Sequence, residues 1–180
     1  MIRVNYGQEI PVRVEVLSHA NERMTRYFFC GNPAIDEYFR NFAADDATAV
    51  TYLIIDENNN KLLAALTIAC SAIFLSKKQQ FSTLMSAIEV VYFAVDVDYQ
   101  GMRYRPGDER SLSHYLFSYL IEMLRDISRT SVGAAKIVLY SVPEAENFYA
   151  RLGFVPFQSS MYGDRGIFVR GCVPMYFDLN

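Results

Sequence analysis

The chain contains no tryptophan, two histidines and three widely separated cysteines, Cys30, Cys70 and Cys172. Because no two cysteines form a C-x-x-C pair, the sequence supports neither a disulfide framework nor a zinc site, and we expect no metal. The longest apolar runs, residues 62–75 and 87–97, are interrupted by polar residues, so we expect no membrane span. The N-terminus lacks the apolar core of a signal peptide, which predicts a cytoplasmic location.

Positive charge is also scarce. The formal net charge is −3 and the isoelectric point is about 5.4, which gives no general attraction to nucleic acid but still allows a local basic patch. Apolar residues, in contrast, make up 52% of the 180 residues. This composition predicts one globular domain over residues 1–180 with a sizeable core.

The sequence of the first half of the chain predicts one strand, one helix and one hairpin. Residues 11–17 alternate apolar and charged side chains, which indicates a half-exposed strand at or near a sheet edge. Asn32 and Pro33 are typical of a helix N-cap and first helical residue, and the apolar spacing at 35–42 predicts a helix ending near residue 45. Two β-rich runs at 50–55 and 61–72 flank a polar turn, so they predict an antiparallel hairpin.

The second half alternates strands and helices. We predict strands at 88–95, 136–140, 154–157 and 173–179, helices at 111–128 and 144–152, and a loop or loose hairpin at 158–171. Residues 76–86 are polar and favour a loop or a broken helix. The right-handed crossover rule places strands 88–95 and 136–140 side by side and parallel. The fold class is therefore mixed α/β.

Residues 87–104 are the best candidate for a ligand site. An apolar strand ends at Ala94 and Val95, a polar loop begins at Gln100 and Gly101, and a long helix follows. A strand that leads into a helix N-terminus presents free backbone N–H groups, which suit an anionic ligand.

Three segments then resemble a known family. Residues 145–154 read A-x-x-F-Y-x-x-x-G-F, which resembles a segment of the Gcn5-related N-acetyltransferases. Residues 88–96 with 99–101 resemble that family's central strand and the start of its coenzyme loop. Residues 29–38 resemble an N-terminal segment of a branch that includes toxin-like acetyltransferases. The resemblance covers roughly residues 10–180 and implies the family's acyl-CoA N-acyltransferase fold, with a mostly antiparallel sheet and one parallel strand–helix–strand unit.

The resemblance implies transfer of an acetyl group from acetyl-coenzyme A to an amine, by direct attack in a ternary complex. It places Tyr149 as the acid that protonates the leaving thiolate and Glu89 as the base, with backbone N–H groups at Ala94 or Val95 facing the oxyanion. The remaining residues implied for coenzyme binding are Gln100, Gly101, Met102, Arg103, Arg105, Arg110, Ser111 and Asn147.

The coenzyme loop departs from the family pattern. Its paired glycines are missing, and several residues are inserted between Met102 and Arg110. Non-glycine side chains obstruct close approach of backbone to phosphate. Charge contacts from Arg103, Arg105 and Arg110 are one way to compensate, and a degenerate coenzyme site is the other.

Several alternatives stay open. The acceptor is a small amine, an antibiotic or a protein amine, and a toxin acting on aminoacyl-tRNA is the alternative enzyme. Residues 29–38 favour that toxin, whereas the acidic balance disfavours tRNA. A non-catalytic binding protein is the third hypothesis. Tyr149 is alternatively a core tyrosine and Glu89 a surface charge paired with a basic residue. A homodimer through the last strands or an exposed sheet edge also fits the pattern.

Overall fold

A computed structural model of the chain describes residues 2–6, 8–77, 81–103, 107, 109–158, 161 and 171–179. The strands in this part are β1 (Ile2–Tyr6), β2 (Gln8–Val16), β3 (Ala49–Asp56), β4 (Lys61–Lys77), β5 (Phe81–Val95), β6 (Lys136–Ser141), β7 (Val155–Pro156) and β8 (Val173–Asp178). The α-helices are α1 (Pro33–Asn41), α2 (Leu112–Ile127) and α3 (Glu146–Arg151). Short 3-10 helices lie at Glu22–Tyr27, Val97–Tyr99 and Pro143–Ala145, and a π-helical turn lies at Ser128–Val132.

Internal contacts divide the chain into two compact units. The first contains Met1–Ile68 and Tyr92–Tyr119, and the second contains Ala69–Val91 and Leu120–Asn180. Strands β4 and β5 and helix α2 each contribute residues to both units.

In the first unit the strand order is β1-β2-β3-β4-β5. β1 and β3 both pair antiparallel with β2, with Val12 opposite Ile2 on one side and Asp56 on the other. β1, which the sequence did not predict, therefore occupies the edge, and the predicted strand lies one position inside it. The core of this unit gathers Leu17, Phe28, Phe39, Ala43, Leu53, Ile55, Leu62, Ala65 and Ala94.

Helix α1 begins as predicted and ends earlier. The Asn32 side-chain oxygen accepts hydrogen bonds from the N–H groups of Ala34 (3.1 Å) and Ile35 (3.4 Å), which confirms the N-cap. The helix ends at Asn41, however, so the predicted end near residue 45 is wrong. Because residue 42 leaves helical geometry, Phe42 is 56% exposed, whereas Phe39 is only 2% exposed.

The hairpin turn after β3 is confirmed. The Asp56 carboxylate accepts the N–H of Asn58 at 2.9 Å, and Asn60 has a positive φ of 51°, which asparagine tolerates. The loop or broken helix predicted at 76–86 is wrong for the described part, because β4 continues to Lys77 and β5 begins at Phe81. Thr83 and Ser86 are exposed in β5, where pairing between strands outweighs polar composition.

In the second unit the strand order is β4-β5-β6-β8-β7. β5 and β6 are parallel, from Ala87 opposite Lys136 to Val90 opposite Leu139, as the crossover rule predicted. β8 pairs antiparallel with β6 and β7. The mixed α/β fold class is therefore confirmed. The core of this unit gathers Ile73, Ala87, Val138, Met161 and Tyr176. Among all the described residues, no helix has the length and apolar character needed to cross a membrane.

Candidate functional site

The first unit holds the end of β5 and the turn that follows it. Ala94 and Val95 are buried, and beyond them the Asp96 N–H donates to the Leu63 carbonyl at 2.9 Å. The Val97 N–H donates to the Phe29 carbonyl, also at 2.9 Å. The strand end is thus fixed by hydrogen bonds to two other segments of the same unit.

A buried carboxylate organises this turn. Asp96 is 2% exposed, and its carboxylate accepts the ammonium of Lys61 (3.1 Å) and the N–H groups of Phe29 (3.3 Å) and Asp98 (3.1 Å). The Tyr99 hydroxyl donates to Asp56 at 3.2 Å, and burial together with the Asp56 charge raises the pKa of Tyr99. Sequence reasoning missed this network. The local sequence indicates only one part of the network: Asp96 precedes a short helix, and aspartate is a preferred N-cap residue.

Gln100 and Gly101 complete the turn. The Gln100 side-chain amide donates to the carbonyls of Val95 (2.7 Å) and Cys30 (2.8 Å). Both amide hydrogens are therefore engaged within the chain, and Gln100 acts here as a brace. Gly101 has a φ of +70°, and, its two chain neighbours aside, no atom of the described residues lies within 4 Å of where its Cβ would be. Glycine is needed at this position for its backbone conformation, and the space beside it is open.

The inserted loop closes on itself. The Leu112 N–H donates to the Met102 carbonyl at 2.7 Å, and Arg103 and Ser111 form an antiparallel bridge. The first residue of α2 therefore lies beside Met102, so the strand–turn–helix arrangement is kept despite the insertion. The Ser111 hydroxyl accepts the N–H of His114 at 3.3 Å.

Two of the three arginines in this loop belong to the described residues. Arg103 and Arg110 are exposed, and the Arg110 guanidinium lies 4.5 Å from the centre of the Tyr115 ring, which places it at the start of α2. Arg105 lies outside the described residues. Since the N–H groups of Leu112 and His114 already have acceptors, an anion bound here would depend on the remaining loop donors and on these guanidiniums.

The second unit holds Glu89, which is half-buried on β5 opposite Val138 of β6. Because side chains alternate along a strand, Tyr140 lies on the same sheet face as Val138 and Glu89. Burial raises the pKa of Tyr140, and the Glu89 charge raises it further. Sequence reasoning missed Tyr140, because it predicted that the two strands pair in parallel but not the register that places Tyr140 near Glu89.

Tyr149 lies on α3 of the second unit. Its ring makes edge contacts with Phe148 and Phe154, with ring centres 5.1 and 5.8 Å apart. Its carbonyl accepts the N–H groups of Leu152 and Phe154, which close the helix end. Burial raises the pKa of Tyr149 to about 12, so the hydroxyl is protonated at neutral pH. Asn147, on the same helix, is exposed.

Comparison with known proteins identifies the fold. No family model and no curated protein matches the chain. Among solved structures, one described as a bacterial toxin has a TM-score of 0.71 and 21% identity, covering 94% of this chain and 91% of that one. AtaT complexed with acetyl-methionyl-tRNAfMet has a TM-score of 0.68 and 17% identity, covering 93% and 95%. A KacTA–DNA complex has a TM-score of 0.67 and 17% identity, covering 94% of each chain.

These similarities confirm that the chain has the Gcn5-related N-acetyltransferase fold, as the sequence resemblance implied. Within that fold, the similar structures include the toxin AtaT and the related KacT, which agrees with the resemblance seen in residues 29–38. At such identities the comparison establishes the fold, and the activity has to be argued from the residues.

Proposed function

We propose that the chain is an acetyl-CoA-dependent N-acetyltransferase that transfers the acetyl group directly to an amine in a ternary complex. The main support is the hydrogen bond from the Leu112 N–H to the Met102 carbonyl, which keeps α2 beside the turn after β5. This arrangement retains the strand–turn–helix that the coenzyme loop requires. A structure with the same fold, AtaTR, has been solved with acetyl-CoA bound.

The donor side of this proposal is built in the first unit. In this proposal the N–H groups of Gly101 and Met102 bind the pyrophosphate, and glycine leaves the space beside residue 101 open among the described residues. The Gln100 N–H donates to the Val97 carbonyl at 3.3 Å, so Gln100 contributes through the turn that its side chain braces. Arg103 and Arg110 add charge contacts. Arg105 and Ser111 complete the proposed coenzyme set in this unit, and Asn147 of the second unit is included because the sequence resemblance implies it.

The chemistry requires three groups of the protein: a base, an oxyanion donor and an acid. The neutral amine attacks the thioester carbonyl carbon, a C–N bond forms, and the C–S bond breaks. Glu89, directly or through an ordered water, takes the proton from the amine, and the N–H of Ala94 or Val95 stabilises the oxyanion. Tyr149 gives its proton to the leaving thiolate. Its hydroxyl is protonated at neutral pH, as this step requires.

The acceptor has two candidates. A small-molecule or protein amine is the general one. Aminoacyl-tRNA is the second, because AtaT has been solved with acetyl-methionyl-tRNAfMet and shares this fold. AtaT has also been solved with the C-terminus of its antitoxin AtaR, so a protein that inhibits this chain is a further expectation under the second candidate.

Two experiments test the proposal. Acetyl-CoA at millimolar concentration should raise the melting temperature, since a ligand at a hundred times its Kd stabilises the folded state by about 2.7 kcal/mol. No shift would mean that the coenzyme site is degenerate and the fold is non-catalytic.

The second experiment tests the acid. Tyr149→Phe should lower turnover about a hundredfold and leave the acetyl-CoA shift unchanged, because the lost hydroxyl acts on the leaving group. Tyr52→Phe is the matched control, since burial also raises the pKa of Tyr52 and we assign it no role. Equal turnover in the two variants would remove Tyr149 from the acid role.

A further inference from the structure

Three arginines of the first unit form no ion pair with any residue that the structure describes. Arg23 and Arg26 lie on the 3-10 helix Glu22–Tyr27, and Arg40 lies in the last turn of α1. All three are exposed, and within the described part of the chain their guanidiniums make no ion pair or hydrogen bond. With Tyr27 they form what we call the arginine surface.

The geometry of the short helix groups these side chains. A 3-10 helix has three residues per turn, so Arg23 and Arg26 project from the same edge, about 6 Å apart along its axis. Both line a cavity of about 410 Å³ together with Tyr27 and Lys61. Both also line a second cavity of about 300 Å³ together with Arg40. One pair of guanidiniums thus borders two recesses of the same unit.

The carboxylates at these cavities are already engaged. Asp96, in the larger cavity, is buried and bound to Lys61 at 3.1 Å. Glu22, in the smaller one, is hydrogen-bonded by His19 at 2.9 Å. Around the smaller cavity three guanidiniums therefore face one exposed carboxylate, that of Glu22, which leaves a local excess of positive charge although the chain as a whole has a net charge of −3. This local excess is suited to an anionic partner.

Tyr27 indicates which kind of anion the arginine surface binds. It is 83% exposed and lines the larger cavity beside two guanidiniums. Exposed aromatic rings next to arginines are the elements with which proteins stack bases and hold phosphates of unpaired strands. An acidic peptide would use the arginines but offers no base to stack on Tyr27.

We propose that the arginine surface binds single-stranded nucleic acid, with phosphates on Arg23, Arg26 and Arg40 and a base stacked on Tyr27. The inference does not depend on acetyl transfer. The proposal assigns a binding role to the 3-10 helix Glu22–Tyr27, for which the sequence predicted none. The net negative charge of the chain had argued against nucleic-acid binding.

Fluorescence anisotropy with labelled oligonucleotides of about 10 nucleotides tests it. The logarithm of affinity should fall with the logarithm of salt with a slope of about −2, since three phosphate contacts on a single strand contribute about −0.7 each. Replacing both Arg23 and Arg26 by glutamine should make the slope shallower by about 1.4. Tyr27→Ala should weaken binding about tenfold without changing the slope. RNA and DNA of one sequence, compared directly, identify which strand is preferred.

Arg129→Gln is the control, because Arg129 is an exposed arginine of the second unit. It should bind like the unchanged protein. Equal salt slopes in the control and in the Arg23/Arg26 variant would overturn the proposal, as would absence of binding at about 50 mM salt. Tighter binding of polyglutamate than of either oligonucleotide would overturn it in favour of a protein partner. The acetyl-CoA thermal shift, measured on the same variants, should be unchanged, so a failure here is distinguishable from a failure of the acetyltransferase proposal.

Discussion

Asp96→Ala should destabilise the first unit more than any change at the neighbouring Asp98. Asp96 is buried and accepts three hydrogen bonds, from the Lys61 ammonium and from two backbone N–H groups. Alanine provides no acceptor, so the N–H groups of Phe29 and Asp98 lose the acceptor that the carboxylate provided. The turn that leads to Gln100 would then lose its anchor.

The magnitude follows from the three partners. Each N–H that loses its charged acceptor costs about 1–1.5 kcal/mol, which lies at or below the bottom of the range for such bonds because both are only partly buried. Lys61 is partly exposed and keeps its ion pair with Asp98, so its share is below about 1 kcal/mol. The sum is roughly 2–4 kcal/mol, a large fraction of the 5–15 kcal/mol by which domains are usually stable. In a chain of 180 residues this corresponds to a melting temperature lower by roughly 10 °C.

Urea unfolding followed by circular dichroism measures the difference. Asp98→Ala is the control, because Asp98 binds the same lysine from a side chain that is 70% exposed, and it should cost less than about 0.5 kcal/mol. Asp96→Asn keeps one acceptor oxygen and should fall between the two. Equal losses for Asp96→Ala and Asp98→Ala would refute the anchoring role of the buried carboxylate.

Three further outcomes are expected. Asn32→Ala should cost about 1 kcal/mol in urea unfolding, and no loss would contradict the cap. Thr51→Val should cost about 1–3 kcal/mol because it removes the buried hydrogen-bond partner of Thr67, whereas the double valine variant should cost less than the two single changes combined. Glu22 and Asp45 raise the pKa of His19, so NMR titration should place that pKa above 6.5. The pKa of His19 should be lower in Glu22→Gln. The attraction between the imidazolium and these carboxylates is lost as the pH rises through the folded-state pKa of His19.

The parts of the fold that the sequence predicted depend on local patterns. The Asn32 cap needs only its own side chain and the next two N–H groups, and the turn before Asn60 needs residues that tolerate positive φ. The parallel pairing of β5 and β6 follows from a general handedness rule that requires no side-chain detail. The cap and the turn were predicted because a few neighbouring residues determine each of them, and the pairing was predicted because the crossover rule holds for nearly all such connections.

The parts that were missed depend on distant partners. β1 pairs with β2, and residues 81–86 are strand because pairing across the sheet outweighs their polar composition. The brace from Gln100 to the Cys30 carbonyl joins residues 70 positions apart. Nothing in the local sequence specifies such a contact, so it could not be read from the loop itself.

The closed loop changes how the departure from the family pattern should be interpreted. An insertion would disrupt a coenzyme site if it moved the helix start away from the turn. The Leu112–Met102 hydrogen bond and the Arg103–Ser111 bridge prevent this, because they return the chain to the point where the insertion began. The missing glycines then matter only where the backbone must approach phosphate. At residue 101 a glycine is present and leaves the space for such an approach. The insertion is therefore compatible with donor binding, and acetyl-CoA affinity should depend on the turn braced by Gln100 more than on the length of the loop beyond it.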